Sequence, residues 1–227
     1  MAGRFGRAGH WRGPRKNPKR YWTLYALAWL LMAAPLIWDL WSGQTGGDSA
    51  REQANVDMGR WGVRFLVLAL SLRPLAQALR WPIVLRYRRM VGLFAFAYTF
   101  AHSVDYFVYA HGWAIPYRVW QRRLYLWVGI AAFSMFIPLA VTSADGVRRA
   151  MGPAAWRGLH RMIYTVAFLT ILHAGMELTN DYTQTILCGL LLFMLLILRL
   201  PSGQHWLEKV QLPRSAKSTG NTNRLAS

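Results

Sequence analysis

Cysteine is almost missing from this chain: among 227 residues only Cys188 carries a thiol. No disulfide framework, thiolate zinc site or iron–sulfur cluster can therefore be assembled within it. Cys188 lies in an apolar run and reads as a small buried or lipid-facing residue. Acidic residues are scarce as well, with 9 Asp and Glu against 27 Lys and Arg, for a formal net charge of +18. In a soluble protein such a surplus would suit nucleic acid. Here the basic residues fall in clusters separated by long apolar runs, a segregation that nucleic-acid binding does not explain. The sequence also lacks a Walker loop, a dinucleotide fingerprint, a His-Glu-x-x-His zinc helix and any repeat of solenoid length.

What is present is apolar. Hydrophobic residues make up 54% of the chain, and the mean hydropathy of +0.17 is positive despite the charge. Long runs at Tyr21–Trp41, Trp61–Leu79, Met90–Ala110, Leu124–Val141, Met162–Leu178 and Tyr182–Leu200 each approach the length needed to cross ~30 Å of hydrocarbon as a helix. Trp22, Trp38 and Trp41 sit near the ends of the first run, as an aromatic belt would. That run is too long for a signal-peptide core and reads as a retained span. Lys and Arg number seven in the head, four over 80–89, four over 148–161 and five over 199–224. These twenty stand against six on the opposite side (Arg51, Arg60, Arg64, Arg118, Arg122 and Arg123), which places both termini in the cytoplasm. The expectation is an all-α membrane protein of the bacterial inner membrane, a six-transmembrane-helix bundle in contact with lipid. Residues 1–20 form a disordered basic cytoplasmic tail, 21–200 the membrane domain and 201–227 a second cytoplasmic tail. Ser42–Gly59 becomes an outer loop. Gly92, Gly129 and Gly175 read as helix-packing points.

Six histidines carry the chemistry. His10 and His205 lie in the tails and His111 at the outer end of the third span, where a solvated imidazole costs little. His102 and His173 fall inside apolar helices, where an ionisable residue usually has a partner or a task. His102 is thirteen residues beyond Arg89 and His173 twelve beyond Arg161, so both stand roughly 18–20 Å from the arginines opening their spans. At one shared level they could lie on opposite faces of a planar macrocycle, as bundle proteins hold haem. Two core histidines bonded to neighbouring helices would give the same pattern. His160 lies thirteen residues before His173, about 20 Å away along a helix, so the two cannot ligate one iron. It is either a single ligand or quinone-site residue, or an interfacial structural one. Asp105 and Glu177 follow the two histidines by three and four residues. They accept hydrogen bonds from the imidazoles, present negative charge to an outer partner, or simply mark the helix ends.

Met58-Gly59-Arg60, Arg86-Tyr87-Arg88-Arg89-Met90-Val91-Gly92-Leu93 leading to Ala101-His102, and Trp156-Arg157-Gly158-Leu159-His160-Arg161 leading to His173 occur in order and at fixed spacing. With them the chain resembles the MsrQ (YedZ) family of ferric-reductase-like transmembrane domains over residues 21–200. The resemblance implies a membrane subunit holding b-type haem (heme b), with His102, His160 and His173 matching the family's membrane histidines as cofactor and metal ligands. It further implies electron transfer from quinol, or from a cytoplasmic flavin reductase, to a periplasmic molybdopterin-containing methionine sulfoxide reductase, together with a bound FMN. Such a chain is an electron-transfer subunit rather than the catalytic one. A haem-containing anchor for another oxidoreductase, or a transporter with intramembrane His and Arg, are the competing readings.

Overall fold

The computed structural model describes residues 18–79, 81–110, 124–176 and 182–197. The head before residue 18, His10, His111, Arg118, Arg122, Arg123, Glu177, His205 and the tail after residue 200 lie outside them. Among the described residues every regular element is helical. Helix α1 spans Pro18–Thr45, α2 Gly47–Ala78, α3 Arg88–Asp105, α4 Leu124–Val141, α5 Asp145–His160, α6 Ile163–Met176 and α7 Tyr182–Ile197. A 3-10 turn at Pro82–Tyr87 leads into α3, and a π turn at Tyr106–Ala110 continues it. Among the described residues three helical stretches are long and apolar enough to cross a membrane: Trp22–Thr45, Pro82–Val108 and Leu124–Val141.

The expected outer loop at 42–59 is helical instead. Its polar residues Asp48, Glu52, Gln53 and Asp57 suggest a loop, but Ala54, Asn55 and Met58 recur at helical spacing and are buried. Only Gly46 and Gly47 interrupt the helix. Gly47 takes φ +78, a left-handed conformation that glycine adopts without steric cost, and the chain turns there from α1 into α2. Helix α5 was not foreseen. It opens on Asp145, bends at Gly152 (φ +75) before Pro153, and joins α4 to α6.

Proline marks a second local departure. Pro35 lies inside α1, has no N–H to donate and crowds the preceding turn. Beside it the Tyr98 hydroxyl of α3 enters the α1 backbone, accepting from the Leu36 N–H at 2.8 Å and donating to the Met32 carbonyl at 2.8 Å. That hydroxyl stands where a direct Met32–Leu36 bond would otherwise close the turn. Tyr98 itself is fully buried.

Helix α3 packs along α2, and α4 along α6. Phe65, Leu66, Leu70, Met90, Phe94, Ala95, Tyr98, Val166 and Leu192 form one core. Rings interlock around it: Trp29 on Phe94 at 4.8 Å, Phe65 on Tyr98 at 5.2 Å, Phe96 on Phe133 at 6.0 Å. Outward faces are also apolar. Leu31 is 76% exposed, and Leu30, Ile37, Leu187, Leu190 and Phe193 are open too. A surface of that kind suits hydrocarbon rather than water.

Candidate functional site

Helices α3 and α6 bring His102 and His173 together, with ring centroids 6.4 Å apart and planes inclined by 70°. The level deduced by counting residues is therefore where both rings lie. Each ring is anchored in the same way. His102 Nδ1 lies 2.9 Å from the Asn55 carbonyl on α2, and His173 Nδ1 lies 2.8 Å from the Tyr125 carbonyl on α4. A carbonyl only accepts, so both Nδ1 atoms donate and, in the neutral ring, the lone pair sits on Nε2. That is the tautomer a metal-ligating imidazole uses when its other nitrogen is hydrogen-bonded.

A glycine lies four residues beyond each acceptor carbonyl. A Cβ on Gly59 would stand 3.2 Å from His102 Nδ1, and one on Gly129 only 2.8 Å from His173 Nδ1 and Cε1. Each imidazole thus lies on bare backbone, close enough to reach a helix carbonyl one turn away. At their 6.4 Å separation His102 and His173 would be the residues to hold a metal centre between them, through their Nε2 lone pairs. Among the described residues no cluster of three His, Cys, Asp or Glu side chains could hold a metal.

Two of these partners, Asn55 and Tyr125, were not singled out in the sequence, and Gly129, expected as a packing point, packs against the His173 ring itself. The detectable signal was the repeated spacing, Asn55 with Gly59 and Tyr125 with Gly129, on two helices flanking the histidine-bearing ones. Gly92 and Gly175, given the same role as Gly129, have open space where a Cβ would go.

His160 stands apart from the pair, at the end of α5. Its Nε2 lies 3.0 Å from Thr142 Oγ1, and the Trp156 ring stacks on it at 4.0 Å. The Thr142 hydroxyl donates to the Pro138 carbonyl at 2.6 Å, so Oγ1 accepts from His160 Nε2–H and the proton is on the opposite nitrogen from that of the other two rings. Burial, aided by Arg88, lowers the pKa of His160 and keeps it neutral. Trp156 Nε1 also donates to the Thr142 carbonyl at 3.0 Å, so these three side chains pin the α4–α5 corner.

Asp105 bonds across to α2. It receives the Asn55 amide at 2.9 Å, and Arg51 lies 3.9 Å from its other oxygen. Arg60 pairs with Asp57 at 3.2 Å and Arg64 lies over the Trp61 ring at 4.4 Å. At the Asp105 end of the bundle an apolar cleft of about 450 Å³ runs between α1, α2 and α3, bordered by Leu36, Asp39, Met58, Phe96, Phe100 and Val104. Asp39 is 7% exposed, and its Oδ2 has no hydrogen-bond partner among the described residues.

The chain is similar in sequence to known proteins. Residues 58–171 match the family model described as "Ferric reductase like transmembrane component", a segment holding His102, His160 and both glycine seats. A protein of Caulobacter vibrioides named "Protein-methionine-sulfoxide reductase heme-binding subunit MsrQ" is 34% identical over 82% of this chain and 90% of its own length. Proteins of the same name from Rhodospirillum rubrum (35% identical, 73% of this chain and 82% of the relative) and Rhizobium meliloti (36%, 69% and 71%) are also similar. With apolar helices and outward-facing leucines, this is a multi-pass protein of the inner membrane. Its matched segment and its identity to these relatives along most of their length make the chain a member of the MsrQ family of ferric-reductase-like transmembrane components.

Proposed function

We propose that this chain is a haem b membrane subunit that carries electrons to a periplasmic, molybdopterin-containing methionine sulfoxide reductase. The observation that carries the reading is the pair His102 and His173, 6.4 Å apart, each fixed through Nδ1 to a helix carbonyl. Two nitrogen donors, planar rings and apolar walls fit a bis-histidine haem, whose iron supplies one-electron transfer when bound. The chain's own groups do the remaining work. The Asn55 and Tyr125 carbonyls hold the tautomer and raise the basicity of each imidazole, and Gly59 and Gly129 leave room for the rings.

Six spans with both termini in the cytoplasm follow if α1, α2, α3, α4, α6 and α7 all cross, with α5 on the inner surface among Arg148, Arg149, Arg157 and Arg161. The excess of Lys and Arg on that side supports this arrangement. The relatives' printed names support the reductase partner. For the donor, the quinone pool is favoured over a cytoplasmic flavin reductase. The cleft beside α3 has apolar walls and a carboxylate oxygen, Asp39 Oδ2, that has no partner among the described residues and could bond a ring hydroxyl. FMN rests on the family resemblance alone. His160, matched to the family's ligands, is assigned a structural role because Thr142 occupies its Nε2.

Pyridine haemochrome and flavin assays on the detergent-solubilised protein test the reading. The expected result is b-type haem with a low-spin spectrum, lost to under about a tenth in His102→Ala and His173→Ala and kept in His111→Ala. Full haem in either of the first two variants would overturn the ligand assignment. A haem-bearing anchor of another oxidoreductase would keep the spectrum but fail to reduce the methionine sulfoxide reductase when the two are mixed.

A further inference from the structure

His102 and His173 have matching anchors except at one point. Asn55, 9% exposed, holds His102 in both directions. Its carbonyl accepts from the imidazole at 2.9 Å, while its side-chain amide donates to the His102 carbonyl at 2.9 Å and to Asp105 Oδ2 at 2.9 Å. Arg51, one turn earlier on α2, lies 3.9 Å from Asp105 Oδ1. Residues 51 and 55, like 102 and 105, are neighbours on their helix surfaces, so α2 and α3 are joined over a single turn. That turn is where α3 gives way to the π turn. The His102 carbonyl there also accepts from the Tyr106 N–H, and the Asn55 amide fills its second lone pair just where the helical ladder changes register. Under His173 the equivalent residue is Tyr125, which offers a ring 5.6 Å away, tilted by 36°, and no side-chain amide.

We propose that Asn55 is a positioning residue of the haem site. It fixes the orientation and tautomer of His102, and it fastens the Asp105 carboxylate one turn beyond that ligand, so haem retention and reduction potential both depend on it. The proposal rests on His102 ligating haem. Its chemistry is geometric and electrostatic: the amide touches the ligand's backbone and a charge, never the iron.

The test uses the full-length protein in detergent or nanodiscs. Asn55→Leu removes both amide donors at similar volume and keeps the backbone carbonyl, so a low-spin haem still assembles. The expected result is release to a haem-scavenging globin about 10- to 100-fold faster, the range for losing a partner of a metal ligand, with a shifted midpoint potential and altered low-spin g-values. Asn55→Ser keeps one donor and the fold, and should lie between wild type and Asn55→Leu on all three readouts. Asp105→Asn keeps the amide but removes the charge. It should raise the potential, because a nearby carboxylate favours ferric iron, while release stays close to wild type. Wild-type release and potential in both Asn55 variants would overturn the proposal. If His102→Ala loses its haem in the same preparation, only the role of Asn55 falls; if it keeps haem, the ligand reading falls first.

Discussion

Gly129→Ala is the sharpest test of how His173 is held. The added Cβ would stand 2.8 Å from both Nδ1 and Cε1 of the ring and 3.4 Å from Cγ. Comfortable carbon contacts lie at about 3.5–4.0 Å, so the ring must retreat by about 0.7 Å. The retreat is away from α4, which also carries the acceptor, and it stretches the 2.8 Å bond to the Tyr125 carbonyl toward the ~3.5 Å at which a hydrogen bond ceases to count. Overpacking costs about 1–3 kcal/mol and the lost bond about 1 kcal/mol. Alanine's better helix propensity returns up to about 1 kcal/mol. The net cost, about 2 kcal/mol in the haem-bound state, corresponds to roughly 30-fold weaker haem retention. Soret absorbance per protein and the rate of haem release read it directly. Gly59→Ala meets His102 at 3.2–3.3 Å and should cost roughly threefold to tenfold, since a few tenths of an ångström suffice. Gly92→Ala, with open space around it, is the control. Full haem with an unchanged spectrum in Gly129→Ala would refute the reasoning, as would equal losses in Gly92→Ala.

Further outcomes follow from the same geometry. Tyr98→Phe leaves the Leu36 N–H and Met32 carbonyl without the hydroxyl that joins them and should destabilise the protein by about 2 kcal/mol, read by unfolding in SDS-containing mixed micelles; wild-type stability would mean that α1 closes its own ladder. Thr142→Val removes the acceptor of His160 Nε2–H and should cost about 1 kcal/mol of stability at unchanged haem content; loss of haem would move His160 into the cofactor site. Asp145 accepts from Arg89 at 2.8 Å, and that bond, with the Arg89 charge, holds its pKa below the ordinary 3.8. A depressed folded-state pKa gives stability that is present above 3.8 and lost as pH falls below it. Protection factors of the α5 amides, with the intrinsic pH dependence of exchange divided out, should therefore fall on acidification below that value in the native chain, and fall less in Arg89→Gln, where Arg148 still lies 3.5 Å from Asp145.

Much of this fold could be read from hydropathy. The apolar run that closes at Val141 stops where α4 stops, because the polar Thr142, Ser143 and Asp145 follow it, and the matched depths of His102 and His173 followed from helical rise alone. Helix α5 escaped for the opposite reason. Its apolar positions are few, Gly152 and Pro153 break the pattern, and arginines dominate its surface. The loop expected at 42–59 failed because charge density outweighed the spacing of Ala54, Asn55 and Met58. Within the candidate site the pairing of His102 with His173 was legible and the groups around them were not. A carbonyl acceptor such as that of Tyr125 is present at every residue, and only packing decides which one a ring can reach. Asp105 stands out in the sequence for its charge, but its bond to the Asn55 amide on α2 is set by packing.

The Tyr98 hydroxyl set into α1 has a consequence for biogenesis. A chain threaded from its N-terminus delivers α1 to the bilayer while α3 is still to be synthesised. During that interval the Met32 carbonyl and Leu36 N–H have no tyrosine between them, and hydrocarbon penalises any backbone group left unbonded. Helix α1 must first enter with this turn closed or hydrated, then reopen it to admit the hydroxyl when α3 arrives. Final seating of α1 is thereby postponed until α3 has been inserted, so the helix made earlier of the two is not the earlier to lock.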